Sequence, residues 1–458
     1  VPEGGAGGVR IGVAFDDVTL EPSPTWTYLT ESANLAAGYS TDRGRAYEFD
    51  KTNTGTAVVQ INDVDGVLDP TNSAGPYYGQ IEPLLQIQIE LHDPIADVWQ
   101  TRFRGFIEDF DYGIDPSQRI TRLQISCVDL FAILTAIEMQ PVASAGDVTL
   151  AAFGDDLAAQ LAQGNVYFQN DTAHDRIIKV LGNAQIPVDF YVVFSLNVNM
   201  LPSTYAPSEN VLQVIQDAAD AEMPTVANVF CDRFGRVCVH GRQARFDPLG
   251  TYESTTPDRW AWRHWHVGDG AAVAADPTHT AQLRQLAFNR GLSKVFNSAL
   301  CTPNGLAVAD IAGQYWSDAA SIGTYGFRSW SAENLFVDSG ILTGKTGPAE
   351  CLAFAEYITD NYAQPRNRIS LLGLQSVARS RIGSTRTWDL LTGCDIGDLI
   401  DVSESSPGGG GFNLEPFFIE GVHEQVTPLN PDMPNVVLTL DVSPQAYFPP
   451  DSPLMSPG

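Results

Sequence analysis

A chain of 458 residues can hold two to four domains and a substantial buried core. Hydrophobic content of 44% is that of an ordinary globular protein, but 26 Lys plus Arg against 55 Asp plus Glu leave a formal net charge of −29. So acidic a body repels nucleic-acid phosphates and anionic membrane surfaces, which argues against a DNA-binding or peripheral membrane role.

Val1-Pro-Glu-Gly-Gly-Ala-Gly-Gly8 offers neither a basic n-region nor an apolar h-region, so no secretory signal is expected. No apolar run approaches the roughly 18 residues of a membrane span. The reading is of a soluble protein made in the cytoplasm. Cys127, Cys231, Cys238, Cys301, Cys351 and Cys394 are scattered without any C-x-x-C pair. They are expected as free buried thiols, not as disulfides or a zinc site.

Val9, Ile11, Val13 and Phe15 alternate as a first strand, and Trp26 to Leu29 gives a second. Ala57-Val-Val-Gln-Ile61 reads as a half-buried strand, followed by Asx and glycine turn chemistry in Asn62-Asp-Val-Asp-Gly66 and Asp69-Pro-Thr-Asn72. Leu85, Ile87, Ile89 and Leu91, with Gln86, Gln88 and Glu90 between them, have a period of two, one dry face and one wet. Trp99 to Phe110 and Leu123, Ile125 and Cys127 add strands around the turn-rich Gly113-Ile-Asp-Pro-Ser117, so residues 9–127 form one β-domain. The period then changes. Leu130, Ile133, Leu134 and Ile137 share a helical face that would cover the edge of this domain.

Residues 138–365 read as a central α/β region, in two parts, 138–206 and 207–365. A short helix is expected over 155–163. Thr172 and Asp175 form a capping box for a helix with Ile177, Val180 and Leu181 inward and Gly182 at its end. Ser208 is the expected cap of the next helix, whose Val211, Leu212, Ile215, Ala218 and Ala219 make an apolar stripe up to Pro224. A hairpin follows, Val226 to Cys231 and Arg236 to His240, turning at Asp232-Arg-Phe-Gly235. Thr255 to Asp276 carries Trp260, Trp262 and Trp265 among glycine and proline breakers and is expected as an irregular, aromatic-rich surface loop. Gln282 to Leu300 is strand-like. A helix with Pro348 near its first turn and Leu352, Ala355, Ile358 and Tyr362 along one side stops at Pro365. From Arg368 to Ser443 the pattern is β again, and 449–458 is a loose tail.

The second β-stretch echoes the first. Adding 315 to Ile81, Leu84, Leu85, Ile87, Phe103, Ile107, Leu123, Ile125 and Cys127 gives Ile396, Leu399, Ile400, Val402, Phe418, Val422, Leu438, Leu440 and Val442. One offset serving three strands, with loop lengths kept, points to a duplicated β-architecture.

Candidate sites are few. Asp63, Asp65, Gly66 and Asp69 suggest a calcium loop, but with Gly66 at the obligatory glycine the first ligand falls on Ile61 and the twelfth on Asn72. The pattern fails, and turn chemistry accounts for these residues. His264 and His266, two apart, would point the same way from a strand, as a metal requires; a third ligand, His240 or His279, would have to arrive through folding. The ordinary reading is an exposed strand, and no metal is assigned. His423-Glu424 lacks the second histidine of a zinc protease, and Gly408-Gly-Gly-Gly411 lacks the residues of a phosphate cradle and reads as a hairpin loop. No catalytic constellation and no cofactor site emerge. Trp260, Trp262, Trp265, Tyr77 and Tyr78 are the candidate interface, since exposed aromatics suit protein contacts and sugar stacking; burial in the domain's own core is the alternative for the tryptophans.

Taken together, Asp42-Arg-Gly-Arg45, the Gly55 to Ile61 strand, Asp65-Gly66, Asp69-Pro70, Pro76-Tyr-Tyr-Gly79 and Phe103-Arg-Gly-Phe106 resemble the tail-hub (minor tail) proteins of siphophages infecting actinobacteria. Asp175-Arg-Ile-Ile178, the following helix, the strand-Asp232-x-x-Gly235-strand unit and Asp318 to Arg328 extend the resemblance. It implies a β-rich α+β fold in which two small antiparallel β-barrels, 1–137 with its trailing helix and 366–448, flank the central region. It implies a structural virion protein at the distal end of the tail, a homotrimer whose six barrels let a threefold tip dock onto a sixfold tube. Implied partners are the distal tail protein ring, the tape-measure protein and tip or fibre proteins, with phage DNA passing an acidic channel without specific binding. The alternatives are a receptor- or glycan-binding tail-tip protein using the tryptophans, and a tail-associated peptidoglycan hydrolase housed in the central region.

Overall fold

The computed structural model describes residues 8–29, 38–63, 66–115, 120–139, 166–168, 171–194, 196, 198, 200, 203–205, 208–242, 264–304, 314–337, 347–376, 386–405, 411–413, 416–430 and 433–445. Seven strands open the chain: β1 (Val9–Val13), β2 (Thr27–Tyr28), β3 (Gly38–Gly44), β4 (Asn53–Asp63), β5 (Gln86–Asp93), β6 (Val98–Asp115) and β7 (Ile120–Val128). Helix α1 (Leu130–Ala136) follows, started by Asp129, whose carboxylate accepts from the Phe131 N–H. The central part holds β8 (Val166–Phe168), α2 (Ala173–Asn183), β9 (Tyr191–Val193), β10 (Ser203–Tyr205), α3 (Val211–Glu222), β11 (Asn228–Cys231) and β12 (Val237–His240). Then come β13 (His264–Gly268), α4 (Gly270–Ala275), β14 (Thr280–Gln282), β15 (Gln285–Asn289), β16 (Ser298–Pro303), β17 (Tyr315–Ser317), α5 (Ala319–Tyr325), β18 (Ser329–Leu335) and α6 (Gly347–Tyr362). The chain closes with β19 (Arg368–Gln375), α7 (Arg386–Gly393), β20 (Leu399–Ser405), β21 (Gly411–Asn413), β22 (Phe417–Asn430) and β23 (Met433–Pro444).

Fifteen of these strands form one mixed sheet. Its first half runs β2-β1-β5-β6-β7-β4-β3 and is antiparallel throughout. Its second half runs β14-β13-β20-β22-β23-β19-β15, antiparallel except that β13 is parallel to both neighbours. The strand order therefore occurs twice in one chain. Among the described residues neither end of the chain closes into the separate barrel expected from sequence. β3 instead pairs on its outer edge with β22, from Gly421 opposite Gly44 to Val426 opposite Tyr39, and no pairing among the described residues closes either half on itself. An unpaired strand edge must be covered by something, and here the other half covers it. One apolar core runs from Val9 and Val59 in the first half to Leu438 and Leu440 in the second.

The repeat's register departs from a uniform offset of 315. Phe106 pairs with Val128 and Phe418 with Ser443, so the equivalence is 312 residues along β6 and β22 but 315 along β7 and β23. Gln86 pairs with Phe106 and Leu399 with Phe418, giving 313 along β5 and β20. Even strand parity keeps Ile87 and Ile89 on the core face when they map onto Ile400 and Val402. Bulges account for the rest: β6 skips Glu108 and β22 skips Glu420 at the same place in the repeat.

A second core gathers α1, α2, α3, α6 and the β11–β12 hairpin. Thr172 caps α2 by accepting from Asp175 N at 3.1 Å, as the capping box predicts. Asn210, not Ser208, caps α3, its side-chain oxygen taking the Gln213 N–H at 2.8 Å. The expected helix over 155–163 and the glycine loop at 408–410 lie outside the described residues. Helix α7 interrupts the stretch expected to be all β, and 264–275, expected as surface loop, is the half-buried strand β13 followed by α4. Every residue of strands β11 and β12 is buried. Phe230 and Cys238 face the sheet core while Val229, Cys231, Val237 and Val239 face the central core. This hairpin joins the two.

Candidate functional site: the junction of the half-sheets

Three arginines hold the halves together, and a fourth ties the β11–β12 turn to them. Arg102 is fully buried; its Nε donates to Glu424 at 2.8 Å, and its Nη1 donates to the carbonyls of Thr392 and Cys394 at 2.9 and 3.1 Å. Tyr39 donates to the other Glu424 oxygen at 2.6 Å. Arg45 pairs with the buried Glu420 at 2.8 Å, whose second oxygen accepts from Ser443. Arg43 pairs with Asp395 at 2.9 Å, and Arg233 reaches the same segment through its N–H to Asp395 and its Nη1 to Thr392 O. Burial alone would push the Asp395 carboxyl up, but Arg43 and Arg233 hold it below the usual carboxylate range. The elbow 392–395 thus receives cations from β3, β6 and the Asp232–Gly235 turn.

Strand alternation hides this network. Arg102 sits between Thr101 and Phe103, and the register with β5 jumps from Ile89 opposite Phe103 to Glu90 opposite Thr101. Arg102 is therefore a bulge residue and turns inward beside Phe103, where plain alternation would send it out. Glu420 is the bulge residue of β22. The one legible signal was the Arg-Gly-Arg triplet at 43–45. There Gly44 has φ +99 and a Cβ would sit 2.2 Å from Glu420 O, so only glycine lets β3 approach β22.

The connection from β3 to β4 clamps the junction from outside. Lys294 lies 3.2 Å from the centre of the Tyr47 ring, Glu48 pairs with Arg368 at 2.8 Å, and Phe49 packs edge-on against Phe296, Trp330 and Tyr362.

The junction has a counterpart in the second half-sheet. Val59 pairs with Tyr39 and, at the equivalent place, Leu372 pairs with Leu286, so Tyr39, Thr41, Arg43 and Gly44 correspond to Leu286, Phe288, Arg290 and Gly291. The Arg-Gly pair recurs. β22 covers the outer edge of β3, whereas the outer edge of β15 has no strand partner among the described residues. Phe288 is accordingly 43% exposed. The stretch of β6 equivalent to 421–426 is 109–114, and beyond Ile107 it too is paired, among the described residues, on one edge only, to β7.

The residues singled out from sequence divide. Trp265 is 1% exposed, its Nε1 donating to Asp398 at 2.9 Å with Arg386 over the ring, so it is core and not a stacking platform. Trp260 and Trp262 lie outside the described residues. Tyr77 stacks on Phe15 at 4.2 Å, while Tyr78 is 56% exposed. Asp63 accepts from the N–H groups of Val67 and Leu68, and Asp69 from that of Thr71, which is the turn chemistry expected. His240 is buried between Phe194 and Phe230 and His279 pairs with Asp276, so neither joins His264 and His266; Asp401 does. His423 lies between Asp42 and Asp441, and Glu424 belongs to Arg102. All six cysteines are free and buried. Burial pushes the Cys394 thiol up to about 11 and Cys351 up to about 12, which keeps them protonated and unreactive at neutral pH.

No family profile and no curated protein sequence matches the chain. Solved structures do match it in fold. A tail protein from Neisseria meningitidis MC58 aligns over 96% of this chain and 100% of its own, at 13% identity and a TM-score of 0.50. The 43 kDa tail protein of prophage MuSo2 from Shewanella oneidensis covers 94% of this chain and 97% of its own, at 10% identity and a TM-score of 0.48. An E. coli protein described as a type VI secretion component with structural similarity to the T4 tail proteins gp27 and gp5 covers 92% of this chain and 78% of its own, at 10% identity and a TM-score of 0.42. The chain is thus a β-rich α+β protein that shares its fold with a tail protein.

Proposed function

We propose that this is a structural protein of a phage-type tail, the trimeric hub at the distal tip that adapts a sixfold tube to a threefold end. One observation carries the reading: among the described residues, the strand edge that β22 covers in the first half-sheet has no strand partner in the second. If a neighbouring copy repeats the β3–β22 pairing, its β6 edge would lie on β15, and the operation would close when three chains have contributed two half-sheets each. Register makes this specific. Glu424 opposite Thr41 becomes Tyr112 opposite Phe288, and His423 opposite Asp42 becomes Asp111 opposite Asn289. Charge agrees, since exposed Arg290 would meet the exposed acidic stretch Glu108, Asp109 and Asp111. In this reading the central region forms the threefold distal part, the distal tail protein ring, tape-measure protein and tip or fibre proteins are the partners, and the net charge of −29 keeps DNA from sticking to the channel.

The test is a cross-link. The Tyr112→Cys/Phe288→Cys double variant, mildly oxidised, is expected to run as a covalent trimer, with neither single variant doing so. A protein that stays monomeric at high concentration, or particles whose image averages show no threefold symmetry, would overturn the proposal.

A further inference from the structure

We propose that His264, His266 and Asp401 bind a first-row divalent transition metal, with zinc as the probe. Both histidines leave β13 on the face opposite the buried Trp265, and β20 runs parallel beside it with Asp401 opposite His266. His264 Nε2 and His266 Nδ1 lie 2.9 and 3.1 Å from the same oxygen, Asp401 Oδ2. One donor atom from each residue falls within a span of 4.8 Å. Two imidazoles and a carboxylate are a donor set that zinc and its first-row neighbours accept.

An ordinary ion pair explains the geometry less well. His264 Nε2, although 2.9 Å from Oδ2, is not aligned to donate to it and makes no hydrogen bond; Asp401 Oδ1 has no partner either. An Nε2 that lies against a carboxylate oxygen without donating to it fits a donor aimed at a shared centre. A metal bonded at about 2.0–2.1 Å to each donor holds adjacent ones roughly 3 Å apart, and each histidine nitrogen stands at about that distance from Asp401 Oδ2. The side chains are 29%, 47% and 27% exposed, so the cluster lies at the protein surface although His264 Nε2 and Asp401 Oδ1 are themselves covered. The metal would clasp β13, the strand at which the second half-sheet departs from the first, onto β20.

Full-length protein stripped with a chelator and titrated with zinc chloride in a calorimeter is expected to bind one ion per chain. Binding should weaken at least about tenfold in each of His264→Ala, His266→Ala and Asp401→Asn. The same zinc additions should raise the melting temperature of the parent chain and leave that of the variants unmoved. Absence of saturable binding would overturn the site. So would zinc binding undiminished in Asp401→Asn, because an exposed histidine pair alone would then be taking up the ion. Should Asp401→Asn fail to fold, His266→Gln, at the most exposed of the three positions, gives the same two outcomes.

Discussion

A guanidinium with no exposed surface must have its donors met, and Arg102 meets them with Glu424 and two backbone carbonyls. Removing one partner strands the other charge in the core. Arg102→Met should therefore cost about 3–5 kcal/mol in urea unfolding, and adding Glu424→Met should return more than half of it, because the uncompensated carboxylate is the larger penalty. His423 sets a pH dependence. Hydrogen bonds to Asp42 and then to Asp441 raise its imidazolium to about 10. With an unfolded value of about 6.5, the bound proton stabilises the fold fully below pH 6.5 and that contribution is lost as pH climbs toward 10. The ring is 36% exposed, so screening limits the effect to about 1 kcal/mol. His423→Gln should flatten the fall in melting temperature over that interval. The role of Arg102 was not visible in the sequence: alternation assigns a face from neighbours, and Arg102 and Glu420 occupy the places where bulges break it.

At the scale of strands, glycines separate two kinds of cost. Gly44 and Gly79 both have left-handed φ, +99 and +80, but a Cβ at Gly44 meets Glu420 O at 2.2 Å and at Gly79 meets nothing within 4 Å. Gly79→Ala should lose about 1 kcal/mol through backbone strain alone. Gly44→Ala should lose at least about 2 kcal/mol more, since β3 must move off β22; chemical denaturation of the two variants side by side measures the difference. Period-two patterns such as Ile87, Ile89 and Leu91 were legible because side chains report their own face. Which edge meets which was not, because partner choice leaves no mark on alternation, and a spacing of 315 fits by parity where the true equivalences are 312, 313 and 315. The supposed wet face of β5 was misread for a related reason. Glu90 is covered by Arg10 at 2.6 Å and Gln86 by Arg104 at 2.8 Å, partners distant in sequence. β13 was hidden by its aromatic and histidine content, which reads as surface until β20 is placed beside it.

At the scale of the whole molecule, two cores meet at one hairpin. Cys127, Cys238 and Cys394 lie in the sheet core, and Cys231, Cys301 and Cys351 in the central core. Ellman's reagent should modify none of them in native buffer. Along a urea gradient both sets should become reactive at the same concentration, because unfolding either core bares one side of the hairpin; two separated transitions would mean that the cores stand independently. The general architecture, β at both ends around a mixed centre, was readable from changes of period along the chain. The fusion of the ends into one sheet was not, since it rests on pairing between residues such as Arg43 and Val422.

That hairpin has a bearing on how such a protein can diverge. On most strands one face looks to solvent and drifts freely under mutation. From Asn228 to Cys231 and Val237 to His240 neither side is spare, so each replacement is judged by one interior or the other. These eight positions should be the slowest-changing stretch in any lineage carrying the chain, while positions with a solvent-facing side are free to vary.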